Sequence, residues 1–187
     1  MKVIKLSEAL KSKEVADAIK SGKILVYPTD TIYGIGCNAE AAESVRRIHQ
    51  AKGRPEDKPF GIIAPSKEWI FENTHISKEN IAFVESLLPG PYMVILKAKR
   101  KMPFVTAKDG TIGIRIPKDP FCDLIRKQNM LFITTSVNLS EEDPVRTIEE
   151  IPPKITQVVD IAVDAGQSGI YGSRIFDLTK DFEIARF

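Results

Sequence analysis

The residues of this sequence best suited to chemistry are hydroxyl, amide and cationic side chains at the ends of predicted strands. No pattern in the sequence offers a nucleophile with a base, and a surface or packing role is the simpler interpretation of both histidines, His49 and His75. Zinc-protease, paired Cys–His and Walker A patterns are absent. Such an inventory favours reactions driven by positioning and charge neutralisation, as in phosphoryl or nucleotidyl transfer. The candidates are Thr29, Thr31, Lys52, Arg54, Lys58, Thr111, Arg115, Thr134, Ser136, Asn138 and Ser173.

A predicted strand–helix–strand unit positions the first of these residues. The apolar run at 24–27 is typical of a buried strand. Gly34 and Gly36 then permit a tight turn or a close approach of the backbone to a bound group. We expect Asn38 to cap the helix that follows and Gly53 to end it. Strand-end hydroxyls thereby meet the cations around the helix end, which suits an anionic ligand such as a polyphosphate.

The rest of the chain alternates between strand and helix patterns, which predicts one α/β domain, residues 1–187, with a mixed sheet. Ser7 or Ser12 can cap a first helix that Gly22 ends, Ser66 opens a short amphipathic segment, and Ser77 caps another helix. Residues 119–128 are predicted to be helical, with Pro120 in the first turn. A polar, proline-containing loop at 99–109 could close over ligands. Further strands are predicted at 60–64, 92–98, 112–116, 131–135, 158–163, 174–178 and 183–187.

Composition excludes several classes of protein. Apolar residues make up 43% and charged residues 28% of the 187, an ordinary globular mixture. No run approaches the ~20 apolar residues of a membrane span, and the N-terminus has no secretory pattern. Cys37 and Cys122 form neither a disulfide framework nor a metal spacing, so we interpret both as buried packing residues. These features predict a cytoplasmic protein without a membrane partner.

Positive charge is concentrated in two segments although the net charge is only +2. Five cations lie between residues 46 and 58, and KAKRK occupies residues 97–101. A solvated face explains such clusters, and so does a basic rim that meets RNA phosphates. Sequence alone leaves both interpretations open.

Six motifs resemble, in the same order, those of the YrdC-type threonylcarbamoyl-AMP synthases. PTDTIYG and KGRPEDKP are similar to that family's PT(D/E)TxYG and KxR…KP. LLPGPYMVIL and GTIGIRIP resemble its PGPxT and GxRxP strands. TTSVNLS resembles its TSANxSG loop and GSRIFDL its S-x-(I/V)-x-D strand, although Val137 and Glu141 replace an alanine and a glycine of the loop. Each motif alone is weak, but coincidence does not explain six in order over about the whole chain.

The resemblance implies a fold, a reaction and partners. The fold would be a single YrdC-like domain, a twisted mixed β-sheet flanked by helices with an open concave cleft. The reaction would condense L-threonine, bicarbonate or carbon dioxide and ATP, with Mg²⁺, into threonylcarbamoyl-AMP and pyrophosphate. Separate tRNA threonylcarbamoyl transferase proteins would then modify the tRNA adenosine next to the anticodon. Binding of tRNA or other structured RNA would fit the same context.

The matching motifs also imply a role for each candidate residue, and none of them is assigned to a metal. Lys52, Arg54 and Lys58 would be catalytic, because they cancel the repulsion between two anionic reactants. The threonine site would comprise Thr31, Arg115, Thr134 and Ser173. The ATP site would comprise Arg54, Lys58, Thr111, Ser136, Asn138 and Arg186.

Three alternatives accompany this interpretation. The first is a non-catalytic protein that binds double-stranded RNA, tRNA or rRNA. The second is another carbamoyl-adenylate reaction, as in hydrogenase-maturation carbamoyltransferases, which carry extra modules that this sequence lacks. The third is a sugar-phosphate lyase, which needs an acidic Mg²⁺ cluster that Asp30, Glu40 and Glu43 would supply poorly.

Overall fold

In the computed structural model, residues 1–179 and the backbone of 183–186 are described. The helices are α1 (Leu6–Ala9), α2 (Lys13–Lys20), α3 (Ala42–Lys52), α4 (Lys67–Asn73), α5 (Lys78–Leu87), α6 (Pro120–Arg126) and α7 (Pro153–Thr156), with a 3₁₀ turn at Ile148–Glu150. The strands are β1 (Lys2–Lys5), β2 (Leu25–Tyr27), β3 (Gly34–Gly36), β4 (Gly61–Ile63), β5 (Thr74–His75), β6 (Tyr92–Ala98), β7 (Thr111–Arg115), β8 (Phe132–Ser136), β9 (Ile161–Asp164), β10 (Arg174–Asp177) and β11 (Glu183–Arg186). Among the described residues, no helix has the length and apolar character needed to cross a membrane.

One twisted sheet joins these strands in the order β1-β9-β2-β3-β8-β4-β7-β6-β10-β11, with β5 paired to β6. The pairs β1–β9, β9–β2, β4–β7 and β6–β10 are parallel, and the remaining pairs are antiparallel. Helices flank this mixed sheet, so the predicted α/β class is confirmed. Central strands β3, β8, β4 and β7 bring the distant sequence motifs next to one another.

Hydrophobic side chains are buried on both faces of the sheet. Along β2, Val26 points to one core while Leu25 and Tyr27 point to the other, as alternation in a strand requires. The first core packs against α3, α4 and α5, and the second against α2 and α6. Burial of apolar side chains on both faces removes the central strands from water and fixes their register.

Most of the predicted helix boundaries are confirmed. Ser12, Ser66, Ser77 and Asp119 each accept a hydrogen bond from the first turn of the helix that follows. Helix α3 ends at Gly53, whose φ of 63° lies in the left-handed region.

The prediction that Asn38 caps α3 is wrong. The helix begins at Ala42, and the residue before it, Ala41, provides no side-chain cap. Asn38 instead forms an isolated bridge with Phe132. Its Oδ1 accepts a hydrogen bond from the Glu40 N–H at 3.0 Å, which turns the chain before the helix begins.

Strand β3 is a feature that the sequence pattern did not predict. Gly34 and Gly36 belong to this strand, which is antiparallel to both β2 and β8. A Cβ atom on Gly36 would lie 1.9 Å from the carbonyl oxygen of Ile133. The close backbone approach expected at these glycines is therefore real, but its partner is a neighbouring strand.

Candidate active site

Two adjoining cavities lie where β3, β4, β7 and β8 meet their loops. The first has a volume of about 460 Å³ and the second of about 360 Å³. Arg54, Thr135 and Ser136 line both cavities. Residues from five of the six sequence motifs therefore converge on one cleft, and the sixth, the PGPxT-like strand, contributes Met93.

Arg115 forms a buried ion pair in the wall of the first cavity. Its Nη2 donates to the Asp30 Oδ1 at 2.7 Å and approaches the Thr31 Oγ1 at 3.4 Å. The two charged side chains are 7% and 10% exposed. The other Asp30 oxygen accepts a hydrogen bond from the backbone N–H of Lys118 at 2.8 Å. Asp30 thus fixes the guanidinium in the wall, a partnership that the sequence interpretation missed.

Hydroxyl groups line the same cavity. Thr134 accepts a hydrogen bond from the Tyr27 hydroxyl at 2.7 Å, and burial raises the pKa of that tyrosine well above its usual value. Ser173 is buried and also lines this cavity. Thr31 is outside the lining and bonds to Thr29 and Arg115. Of the three hydroxyl residues expected at the threonine site, Thr134 and Ser173 therefore line the cavity. Thr31 does not, but it contacts Arg115, which lines the cavity.

Lys52 is a buried cation that holds the loop between the two cavities. Its ammonium donates to the carbonyl oxygens of Ser136 and Asn138 at 2.6 and 2.7 Å, and to Asn138 Oδ1 at 3.1 Å. The Lys52 carbonyl in turn accepts from the Ser140 N–H at 2.9 Å. Burial, with the charge of Arg54 second, lowers the pKa of Lys52 to about 8. Because an ammonium has three protons, all three can be used by this loop.

Arg54 and Lys58 provide the cations that face the cavities. Arg54 Nε donates to the Lys58 carbonyl at 3.1 Å, and its Nη2 donates to the Pro59 carbonyl at 2.9 Å. Its guanidinium carbon lies 5.4 Å from the centre of the Phe60 ring. The exposed Lys58 lines the second cavity together with Asn138. Within the described residues neither cation forms an ion pair with a carboxylate, and their predicted role toward phosphate stays a prediction.

Two predicted ATP-site residues are not placed in either cavity. Thr111 lies at the opposite end of β7 from Arg115 and donates a hydrogen bond to Asp109 at 2.8 Å. Arg186 belongs to the backbone of β11, but its side chain lies outside the described residues. Both assignments stay predictions.

Loop 166–173 borders the first cavity, and sequence reasoning gave it no role beyond Ser173. Ile170 and Tyr171 line the cavity while remaining 61% and 81% exposed. The loop proposed as a lid, 99–109, lines neither cavity, and Met102 and Val105 anchor it in the core. The signal in the sequence for a second loop at the cavity was the aromatic–glycine pair at 171–172.

No group of three or more histidine, cysteine or acidic residues is arranged to hold a metal within the described part of the chain. The charge of Asp30 is balanced by Arg115, and the second cavity includes one carboxylate, that of Glu141. This donor set does not fit a resident metal ion, and the acidic cluster that a sugar-phosphate lyase needs is not formed.

Comparison with known proteins places the chain in a family. The Sua5/YciO/YrdC family model, described as telomere recombination, matches residues 17–187. The chain belongs to this family. A provisionally named threonylcarbamoyl-AMP synthase of Methanocaldococcus jannaschii is 35% identical over 173 residues, covering 89% of this chain and 82% of the relative. The threonylcarbamoyl-AMP synthase of Haemophilus influenzae is 29% identical over 147 residues, covering 74% and 79% of the two chains.

Solved structures of family members have the same fold. P. abyssi Sua5 complexed with L-threonine superposes with a TM-score of 0.82 at 26% identity, over 96% of this chain. The match spans 54% of that chain, so this protein corresponds to about half of the Sua5 structure. Escherichia coli YciO superposes with a TM-score of 0.84 over 99% of this chain and 92% of its own, and its 22% identity supports the fold alone.

Proposed function

We propose that this protein is a threonylcarbamoyl-AMP synthase that joins L-threonine, bicarbonate and ATP and releases pyrophosphate. The observation that carries the proposal is the shared wall of the two cavities, where Arg54 and Ser136 border both. The two reactants are both anions, so they repel each other, and a cation located where they meet reduces this repulsion. The relatives named as threonylcarbamoyl-AMP synthases and the Sua5 complex with L-threonine support the same assignment.

Threonine would occupy the first cavity. The guanidinium of Arg115 matches a carboxylate, and its ion pair with Asp30 keeps it oriented before the substrate arrives. Thr134 and Ser173 offer hydroxyls for the polar groups of the substrate. Met93 adds an apolar contact for the methyl group. This mixture of one fixed charge, hydroxyls and an apolar wall suits a small hydroxylated amino acid.

ATP would place its phosphates in the second cavity, as the magnesium complex. Lys58 and Arg54 supply positive charge there, and the loop held by Lys52 supplies polar groups from Ser136 and Asn138. Magnesium would enter as part of this substrate and supply further positive charge to the triphosphate.

The reaction would then take place at the junction of the cavities. The amine of threonine loses a proton and forms a bond to the carbon of bicarbonate, with loss of water, to give a carbamate. A carbamate oxygen attacks the α-phosphorus of ATP in line, and the bond to the bridging oxygen breaks to release pyrophosphate. Arg54 would contribute by screening the carbamate from the triphosphate as they approach.

We also propose that separate tRNA threonylcarbamoyl transferase proteins consume the adenylate. The chemistry of a labile mixed anhydride requires rapid transfer to an acceptor, here the tRNA adenosine next to the anticodon. Direct binding of tRNA or another structured RNA to exposed cations such as Arg100 and Lys101 is the alternative function. RNA binding without nucleotide turnover would favour that alternative.

A labelled-nucleotide assay tests the proposed function. Incubation with α-labelled ATP, Mg²⁺, bicarbonate and threonine should release pyrophosphate only when threonine is present. Arg54→Ala should lower the rate at least about 100-fold, the scale for loss of a group that stabilises transition-state charge. Arg46→Ala is the matched control, since this exposed arginine of α3 precedes Arg54 by eight residues and lines neither cavity. Threonine-independent release of pyrophosphate would contradict the assignment.

A further inference from the structure

His49 contacts both backbone polar groups of Arg54. The carbonyl of His49 accepts a hydrogen bond from the Arg54 N–H at 2.9 Å. The ring nitrogen Nδ1 of His49 lies 3.3 Å from the Arg54 carbonyl oxygen. His49 itself is 1% exposed, on the last turn of α3. One buried residue therefore holds the main chain of a residue that borders both cavities.

Phe60 links the same two side chains. Its ring centre lies 4.1 Å from that of His49, with the planes inclined by 33°. The guanidinium carbon of Arg54 is 5.4 Å from the same ring, within range of a cation–π contact. Phe60 also lines the first cavity. Phe60 therefore contacts both the buried imidazole of His49 and the guanidinium of Arg54.

The hydrogen bond defines the state of the imidazole. A carbonyl oxygen only accepts, so Nδ1 must carry a proton, and in the neutral ring Nε2 then carries the lone pair. Within the described residues, that buried Nε2 has no hydrogen-bond partner. Burial lowers the pKa of His49 and the charge of Arg54 lowers it further, whereas hydrogen bonds to the Arg54 and Pro55 carbonyls and the charge of Glu56 oppose the shift. The lowered pKa favours the neutral ring, which donates to the Arg54 carbonyl from Nδ1.

We propose that His49 is a positioning residue, which holds Arg54 in the wall shared by the two cavities so that its guanidinium meets the phosphates of ATP. The inference rests on the proposed function in placing ATP beside Arg54. His49 takes no part in proton transfer with a substrate. Its contribution is to reduce the freedom of Arg54 before ATP binds.

Two substitutions separate the contributions of His49. His49→Asn retains a donor near the position of Nδ1, and His49→Phe retains a ring against Phe60 but has no donor. Binding of MgATP, measured by calorimetry, should weaken about tenfold in His49→Phe, which loses the one hydrogen bond made by the imidazole, and less than about threefold in His49→Asn. The bond from the Arg54 N–H to the backbone carbonyl of residue 49 is kept in both variants. Thermal unfolding of both variants, measured in parallel, reports whether either change acts only on stability.

A double-mutant cycle then tests whether His49 acts through Arg54. In an Arg54→Ala background, His49→Phe should cause no further loss of MgATP affinity. An equal loss in both backgrounds, or wild-type affinity in the His49→Phe variant, would overturn the inference. If the binding pattern is as expected but no threonine-dependent turnover occurs, the positioning role stands and the proposed function fails. A wild-type protein that does not bind MgATP would overturn the placement of ATP and the inference with it.

Discussion

The ammonium of Lys52 lies 2.6 Å from the carbonyl oxygen of Ser136, so a buried cation of α3 holds the last residue of β8. The same ammonium bonds twice to Asn138, two residues further along. Helix α3 thereby fixes the path of the loop that separates the two cavities. Val137 and Glu141, which depart from the family motif, belong to the loop that this contact holds.

Replacing Lys52 by methionine should lower the affinity for MgATP more than it lowers the stability of the fold. The loss of three hydrogen bonds costs stability, but removal of a buried charge offsets it, so we expect the free energy of unfolding to change by less than about 2 kcal/mol. MgATP affinity should fall more than about tenfold because the loop is released. Hydrogen exchange of the amides at 137–142 should accelerate, which mass spectrometry can measure.

Lys58→Met provides the control for that variant. Lys58 is exposed in the second cavity and donates no hydrogen bond to the loop through its side chain within the described structure. Its removal should weaken MgATP binding but leave loop exchange and unfolding unchanged. Equal exchange rates in both variants would show that Lys52 does not hold the loop.

Stability should depend on pH in a direction set by Lys52. Its pKa falls from an ordinary 10.5 to about 8 in the folded state, chiefly by burial. Between these values the unfolded chain binds more protons than the folded one, so the Lys52 contribution to the free energy of unfolding rises with pH. The difference in that free energy between wild type and Lys52→Met should therefore increase from pH 8 to 10 in denaturant titrations. A decrease over the same interval would contradict the shift.

The ion pair between Asp30 and Arg115 should matter far more than a surface pair. Asp30→Ala leaves a buried guanidinium uncompensated, which should destabilise the fold by about 3 kcal/mol and weaken threonine binding. Glu14→Ala breaks the surface ion pair between Lys2 and Glu14, whose side chains are 55% and 60% exposed. This substitution should lower the free energy of unfolding by less than about 1 kcal/mol. Urea titration and threonine calorimetry measure both effects. Similar losses in the two variants would refute the structural role of Asp30.

A substitution in β3 tests the tight contact between this strand and β8. Gly36→Ala would place a methyl group 1.9 Å from the Ile133 carbonyl oxygen, and we expect destabilisation of at least about 3 kcal/mol. Gly53→Ala meets no atom within 4 Å, so only its positive φ should matter, at about 1 kcal/mol. Thermal denaturation of the two variants compares the costs. A Gly36→Ala protein as stable as Gly53→Ala would be inconsistent with this packing.

The sequence predicted the elements whose signals are local. Strand β6 was predicted with its observed bounds, because Pro-Gly-Pro precedes a clear apolar run. The serine cap before α5 was predicted, and Ser12, one of two candidates, caps α2, since capping depends on residues within one turn. Strand β3 was missed because it has three residues, two of them glycine, and so shows no alternation of apolar and polar side chains. It forms a strand because it pairs with β2 on one side and β8 on the other, which no local pattern reveals.

Within the site, residue types were predictable but partnerships were not. Lys52 was expected to neutralise phosphate, yet its contacts are with the backbone of a loop 84 and 86 residues away. Asp30 and Arg115 are separated by 85 residues, and only the fold brings them together. Thr111 shares a strand with Arg115 but lies at its other end, where the first cavity does not reach.

The most direct test of the account is to follow labelled carbon into the nucleotide product. The protein, with MgATP, threonine and ¹³C-bicarbonate, should form threonylcarbamoyl-AMP that carries one labelled carbon, detected by mass spectrometry within a single turnover. The same mixture without threonine should yield no labelled nucleotide. Consumption of ATP without labelled threonylcarbamoyl-AMP would contradict the claim that the two cavities bring threonine-derived carbamate and ATP together.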